Sequence, residues 1–258
     1  MRKKIRNIIQ FLIGFIGLLL LWQASIHVFD VPFYILPTPY EILIALIDGF
    51  YQNDFLLHAW VTLSEALSGF VLGSICGIII GALVSQFRIL QKTLLPYIVA
   101  FQVLPKVALA PLLVIWFGFG MQTRVLMVMM LTLFPVLVNS LVGFSSVPHQ
   151  QIELMYSLTA SRWQIFRKLK IPSALPLIFS GLHIAIIQSV LAAVVAEFIA
   201  AERGLGVMNL KLVFDFDIPG SFATLVVLAT MATLLYVLVA WIKNRTIFWL
   251  NRDEFNPV

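Results

Sequence analysis

Charge is what this sequence has least of. Only 11% of its 258 residues are Asp, Glu, Lys or Arg, while 61% are hydrophobic. A soluble domain carries about 25% charged and about 45–50% apolar residues. So few charges cannot screen that much apolar surface from water, which excludes a soluble enzyme, a disordered protein and a nucleic-acid-binding domain. Cysteine is almost absent: the lone Cys76 lies in an apolar run, so there is no disulfide framework. A Gly-rich Lys-Ser/Thr phosphate loop is also missing, so the chain does not hydrolyse ATP alone. The four histidines (His27, His58, His149 and His183) share no helical spacing, so no metal site is expected. No Gly/Ser linker divides the chain, and residues 1–258 read as one transmembrane domain.

What the sequence has instead is long apolar runs. A spanning helix needs about 20 residues, and six such runs occur, at 7–29, 66–87, 93–123, within 125–152, at 171–196 and at 218–242. The fold class is therefore all-α, a polytopic membrane protein with six transmembrane helices. The first run is too long for a signal peptide and lacks a good cleavage site at Ala24-Ser25. With a cytoplasmic N-terminus, the inner segments hold Arg2, Lys3, Lys4, Arg6, Arg88, Lys92, Arg162, Arg167, Lys168, Lys170, Lys243, Arg245 and Arg252, and the outer ones only Arg124, Arg203 and Lys211. Lys and Arg gather on the inner side, so both termini are expected in the cytoplasm. The net charge of +5 thus reflects orientation, not nucleic-acid binding. The external segment 30–58 contains Pro32, Pro37 and Pro39, then helix-like spacing over 40–51 that stops at Asp48-Gly49, which predicts a short interfacial helix.

Inside the membrane, Gly69, Gly73, Gly77 and Gly81 recur every fourth residue on one helix face. Such a stripe lets another helix approach closely. It serves packing within the subunit or, on a second reading, a moving interface. In the third run Pro96, Pro105 and Pro111 each remove a backbone donor and are expected to kink the chain. Lys106 sits between two of them near mid-membrane, where an unpaired charge costs a few kcal/mol. Its expected partners are Glu65 or Glu197, with Gln102, Asn139, His183 and Gln188 as further polar candidates. Lys106 is either a structural ion pair or part of a translocation path. His183 reads as a packed, hydrogen-bonded residue.

The connection at 145–172 is amphipathic. Ile152, Met155, Tyr156 and Thr159 share one helical face, and Ser161 is placed to cap a second short helix through Trp163, Phe166 and Leu169. Arg167, Lys168 and Lys170 fall in its expected last turn, and Ile171-Pro172 is expected to close it. A tether has no need of Trp163, Ile165 and Phe166 on the inner side, whereas a docking surface does.

Glu153, the run Ser157-Leu158-Thr159-Ala160-Ser161 and Ile171-Pro172-Ser173-Ala174-Leu175-Pro176 resemble the EAA loop of ABC importer permeases. Ile35-Leu36-Pro37-Thr38-Pro39, the stretch from Leu104 to Leu112 with Trp116-Phe117-Gly118, and Ala196-Glu197-Phe198 with Gly204-Leu205-Gly206 resemble the sulfonate, taurine, nitrate and thiamine-precursor group. Pro105-Lys106-Val107-Ala108 and Ser161-Arg162-Trp163-Gln164 look most like permeases for hydroxymethylpyrimidine-type thiamine precursors. Departures occur at Leu154 and Met155, where the family has alanines, and at Thr159, where it has glycine. Thr159 implies a less strained turn or a longer first helix.

The resemblance implies a type I ABC importer permease fold, a non-catalytic subunit that works with a second permease copy, two ATPase subunits that use ATP and Mg, and an external binding protein. It implies ATPase coupling through Glu153, Thr159, Ala160 and Ser161; Arg162, Trp163 and Phe166 join them on chemistry alone. The translocation-path candidates are Lys106, Gln102, Glu65, Asn139, Gln188 and Glu197. The alternative is a secondary transporter or channel that uses Lys106, Glu65 and Glu197 as coupling charges, though no inverted repeat is visible. An intramembrane hydrolase has only Ser180 and His183 to offer.

Overall fold

The structure is a computed structural model that describes residues 2–32, 35–52 and 54–249. Arg252, assigned above to the inner side, lies outside them. Every regular element described is helical: α1 (Arg2–Val28), α2 (Pro39–Gln52), α3 (Phe55–Gln86), α4 (Arg88–Val103), a 3-10 turn (Lys106–Leu109), α5 (Ala110–Phe117), α6 (Met121–Ser145), α7 (His149–Ser157), α8 (Arg162–Ile165), a π turn (Phe166–Lys170), α9 (Ile171–Ala200), α10 (Leu205–Phe214) and α11 (Ile218–Thr246).

Among the described residues, four stretches are long and apolar enough to cross a membrane: Phe55–Gln86, Met121–Ser145, Arg162–Ala200 and Ile218–Thr246. The expected single span at 93–123 is corrected. It consists of two helices, Ile89–Val103 and Lys106–Phe117, bent by 80°. Only one of the three prolines breaks the chain. Pro96 is carried inside α4, and Pro111 occupies the first turn of α5, where its missing donor has no intrahelical partner to lose. The chain turns at Leu104-Pro105, where both residues leave helical geometry.

The glycine stripe sets the packing of the core. A Cβ on Gly77 would lie 2.8 Å from Leu133 O, and one on Gly81 would lie 2.8 Å from Ser140 Cβ. Gly69 faces Val128 and Gly73 faces Thr132 in the same parallel register. Helices α3 and α6 thus run the same way side by side, with the bent α4–α5 pair connecting them. With the bent pair counted as one broken span, the described residues hold up to five candidate crossings. Helix α9 runs antiparallel to α6, with Gly143 against Ala174 and Gly181 against Pro135 and Val136. Ala66, Val128, Ile186, Val190, Ala193 and Leu205 are buried in the centre of this bundle.

The first expected span falls in α1, where several side chains before Ile16 lie outside the described residues. Thr38 and Glu41 form a capping box at α2, with Thr38 N–H donating to Glu41 Oε2 (2.8 Å) and Glu41 N–H to Thr38 Oγ1 (3.2 Å). The helix continues past Asp48-Gly49 to Gln52, a modest correction of its expected end.

Candidate functional site: an exposed elbow at one end and a locked polar cluster at the other

The connection between α6 and α9 folds as two short helices that meet at a sharp turn. Helix α7 ends in a Schellman motif: Ala160 N–H donates to Met155 O (3.0 Å) and Thr159 N–H to Tyr156 O (2.9 Å). The residue at its left-handed position is Thr159, with φ 58°. This corrects the expectation of a relaxed turn or a longer first helix. The turn keeps the geometry that favours glycine, and a β-branched residue occupies it against its preference.

Ser161 then caps α8. Gln164 N–H donates to Ser161 Oγ (3.3 Å) and Ser161 N–H to Gln164 Oε1 (2.7 Å), closing a capping box. The second short helix does not stop at Ile171-Pro172, which is a further correction. It runs on through the π turn into α9 as one rod, Arg162–Ala200. In the π turn Ile171 N–H reaches back to Phe166 O. The extra residue makes room for the Pro172 ring, which in a regular helix meets the carbonyl four residues earlier. Arg167, Lys168 and Lys170 therefore lie within a continuous helix and not at a C-terminus.

The elbow is exposed and apolar. Leu158 is 67% and Trp163 65% exposed, and Leu154 and Tyr156 also face outward. Glu153 is exposed and, among the described residues, pairs with His149 one turn back (3.0 Å). Arg162 is exposed, Ala160 is half-buried and Ile165 is buried. Behind this surface Trp163 stacks on Phe166 (centroids 5.8 Å apart, planes 27°), and Phe166 stacks on Phe144 near the end of α6 (5.7 Å, 21°). Lys170 Nζ donates to Gln86 Oε1 at the end of α3 (3.1 Å). The elbow is thus tied to α3, α6 and α9 at once. Phe144 and Gln86 escaped the sequence reading because their roles depend on which helices meet.

At the opposite end the expected partners of Lys106 are otherwise engaged. Arg124, placed by sequence in an outer loop, lies in the first turn of α6. Its Nε donates to Glu65 Oε1 (2.6 Å) and its Nη1 to Ala200 O (2.8 Å). Glu197 accepts from the Thr62 hydroxyl (2.6 Å) and from Gly206 N–H (2.5 Å), and Leu205 N–H donates to Thr62 Oγ1 (2.8 Å). Gly204 N–H donates to His58 Nδ1 (3.0 Å). The Gly204-Leu205-Gly206 run is explained by contact, because a Cβ on Gly206 would sit 2.7 Å from the Glu197 carboxylate. Glu65 and Glu197 are 0% and 1% exposed.

Lys106 pairs with neither carboxylate. Its Nζ donates to Gln102 O (2.9 Å) and stands 4.7 Å from the centre of the Phe134 ring. Asn139 donates to Pro135 O within its own helix (2.8 Å) and packs toward Gly181. Gln188 is half-buried on α9, away from these groups in sequence. His183 packs on the Tyr236 ring at 4.8 Å and hydrogen-bonds the Phe179 backbone, as expected of a packed, hydrogen-bonded histidine; only its Nε2 has no partner among the described residues.

An all-helical scaffold with several membrane-length apolar helices and an exposed apolar elbow is the architecture of a transport permease, and the family match bears on that class directly. Residues 69–248 match the family described as binding-protein-dependent transport system inner membrane component, and the chain belongs to that family. Its relatives include the formylaminopyrimidine transport permease protein ThiX of Halalkalibacterium halodurans, 33% identical over 239 residues that cover 93% of this chain and 95% of the relative. The riboflavin transport system permease protein RibX of Chloroflexus aurantiacus is 38% identical over 237 residues, covering 90% and 87%. The taurine permease TauC of Escherichia coli is 33% identical over 178 residues, covering 67% and 65%. An inward-facing structure of the MetNI methionine ABC transporter matches with a TM-score of 0.64 at 20% identity, over 77% of this chain and 97% of the other. The protein is the multi-pass inner-membrane permease subunit of an ABC importer. It is non-catalytic, and it works with an ATPase that hydrolyses ATP and with a binding protein.

Proposed function

We propose that two copies of this chain form the path of an importer for a small nitrogen heterocycle of the pyrimidine type, with sulfonates, taurine and nitrate as the alternative cargo class. Support for the heterocycle comes from the formylaminopyrimidine and riboflavin permeases, which are 33% and 38% identical across about nine-tenths of this chain. Each copy crosses the membrane six times, through α1, α3, the bent α4–α5 pair, α6, α9 and α11. Both termini and the elbow are cytoplasmic, in keeping with Arg162, Arg167, Lys168 and Lys170 at the elbow and Lys243 and Arg245 at the end of α11.

The observation that carries this reading is the elbow. Its exposed Leu154, Tyr156, Leu158 and Trp163 form an apolar surface with a charged Glu153 beside it, as a protein partner requires. Two ATPases each hold one elbow in a cleft. Their closure moves α8 and α9 as one rod, and the Trp163–Phe166–Phe144 stack passes the same displacement to α6. The two subunits then alternate between outward and inward opening, a two-state change driven by differential contacts. Glu153, Arg162 and Trp163 make the ATPase contacts, while Thr159, Ala160 and Ser161 hold the turn.

The test is charge reversal. Glu153→Lys is expected to abolish co-purification of the ATPase while the permease still inserts in the membrane. A Glu153→Lys complex that assembles and transports at the normal rate overturns the docking assignment.

A further inference from the structure

We propose that Phe101, Lys106 and Phe134 form a recognition site in the path for a flat heterocycle rich in hydrogen-bond acceptors; this rests on the permease reading above and deepens it. The chain is broken at Leu104-Pro105, between two helices that together cross the bilayer. Irregular backbone at membrane depth is tolerated against protein or water, not lipid. Yet Phe101, Gln102, Val103, Leu104 and Pro105 are all exposed on the single chain. In the assembled importer this stretch is accordingly placed against protein or water on the path side and not against lipid.

The cation at this break is incompletely compensated. No carboxylate of the described residues pairs with Lys106. Its ammonium rests on the Gln102 carbonyl, one of the acceptors a helix leaves unpaired at its C-terminus, and on the face of Phe134. Both contacts are replaceable by a ligand. Phe101 lies beside Phe134 with centroids 6.4 Å apart and planes 24° apart, and Phe101 is 54% exposed.

A planar ring with carbonyl or ring-nitrogen acceptors meets both features. It stacks on the open Phe101 ring and accepts from Lys106 Nζ in place of Gln102 O. A sulfonate gains a charge-assisted bond from the ammonium but nothing from the rings, so stacking on Phe101 is the contact that only a heterocycle makes.

The test uses the whole transporter in proteoliposomes, with its own binding protein and ATPase, and three labelled probes: formylaminopyrimidine, riboflavin and taurine. The wild type is expected to take up a heterocycle. Lys106→Met and Phe101→Leu are each expected to reduce that uptake about tenfold, while Lys106→Arg stays within about twofold of wild type because it keeps the cation. Phe101→Leu removes the Phe101–Phe134 ring contact as well, so the thermal stability of each variant complex is measured beside its uptake, and a recognition role predicts loss of uptake at unchanged stability. Equal loss in Lys106→Met and Lys106→Arg, or no loss in Lys106→Met and Phe101→Leu, overturns the site. Wild-type uptake of taurine and neither heterocycle overturns the cargo class together with the site, and leaves the coupling role of the elbow standing.

Discussion

The two ends of the bundle treat polar and aromatic residues in opposite ways. At the Glu65–Arg124 end, Glu65 is buried and ion-paired, and Glu197 is buried and hydrogen-bonded to Thr62 and Gly206. At the elbow end, aromatics and charges are exposed, and Trp163 has only one open-sided stack beneath it. The first arrangement holds α3, α6 and α9 together, and the second offers a surface to something else. A subunit that swings as a rigid body needs both, since a force applied at one end is lost if the other end yields.

Three substitutions separate these roles. The largest effect is expected at the locked end. Arg124→Met leaves the Glu65 carboxylate buried without a cation, at a cost of about 3–5 kcal/mol. Thermal unfolding of the detergent-purified complex should show it, and Glu65→Gln in the same chain should recover most of the loss. Next is Trp163→Ala, expected to weaken ATPase binding by roughly 30-fold, or about 2 kcal/mol, while changing the permease's own stability by about 0.5 kcal/mol or less. If Trp163→Ala destabilises the subunit as much as Arg124→Met does, the contrast between the ends is wrong. The smallest effect is expected at the turn. Thr159→Gly removes the left-handed strain of a β-branched residue and should stabilise by about 1 kcal/mol, read as a rise in unfolding temperature.

Much of this was legible in the sequence because the bilayer imposes simple rules. Spanning helices need long apolar runs, and a glycine every fourth residue has to face a close neighbour. The EAA-like residues and Ser161 also located the elbow. What stayed hidden depended on which helices meet. Lys106 was matched to Glu65 or Glu197 by charge alone, yet Glu65 belongs to Arg124. That pair obeys the same rule as the glycines: Glu65–Arg124 and Gly69–Val128 are both 59 residues apart, as are Gly73–Thr132, Gly77–Val136 and Gly81–Ser140. One parallel register thus fixes the ion pair and the helix packing together, and it is visible in the sequence only once the partner helix is known. The prolines teach the same lesson. Pro96, Pro105 and Pro111 are chemically alike, but position along the helix leaves Pro111 harmless and Pro105 at the break. The turn at Thr159 followed its place in a Schellman motif and not the local preference of threonine.

The central claim is that motion is imposed on this subunit through its elbow by ATP hydrolysis elsewhere. The most direct measurement is cargo uptake into vesicles holding the permease with its binding protein, with the ATPase subunit present or left out and ATP supplied throughout. The expected result is uptake only with the ATPase. Uptake at a comparable rate from vesicles that lack it contradicts the claim.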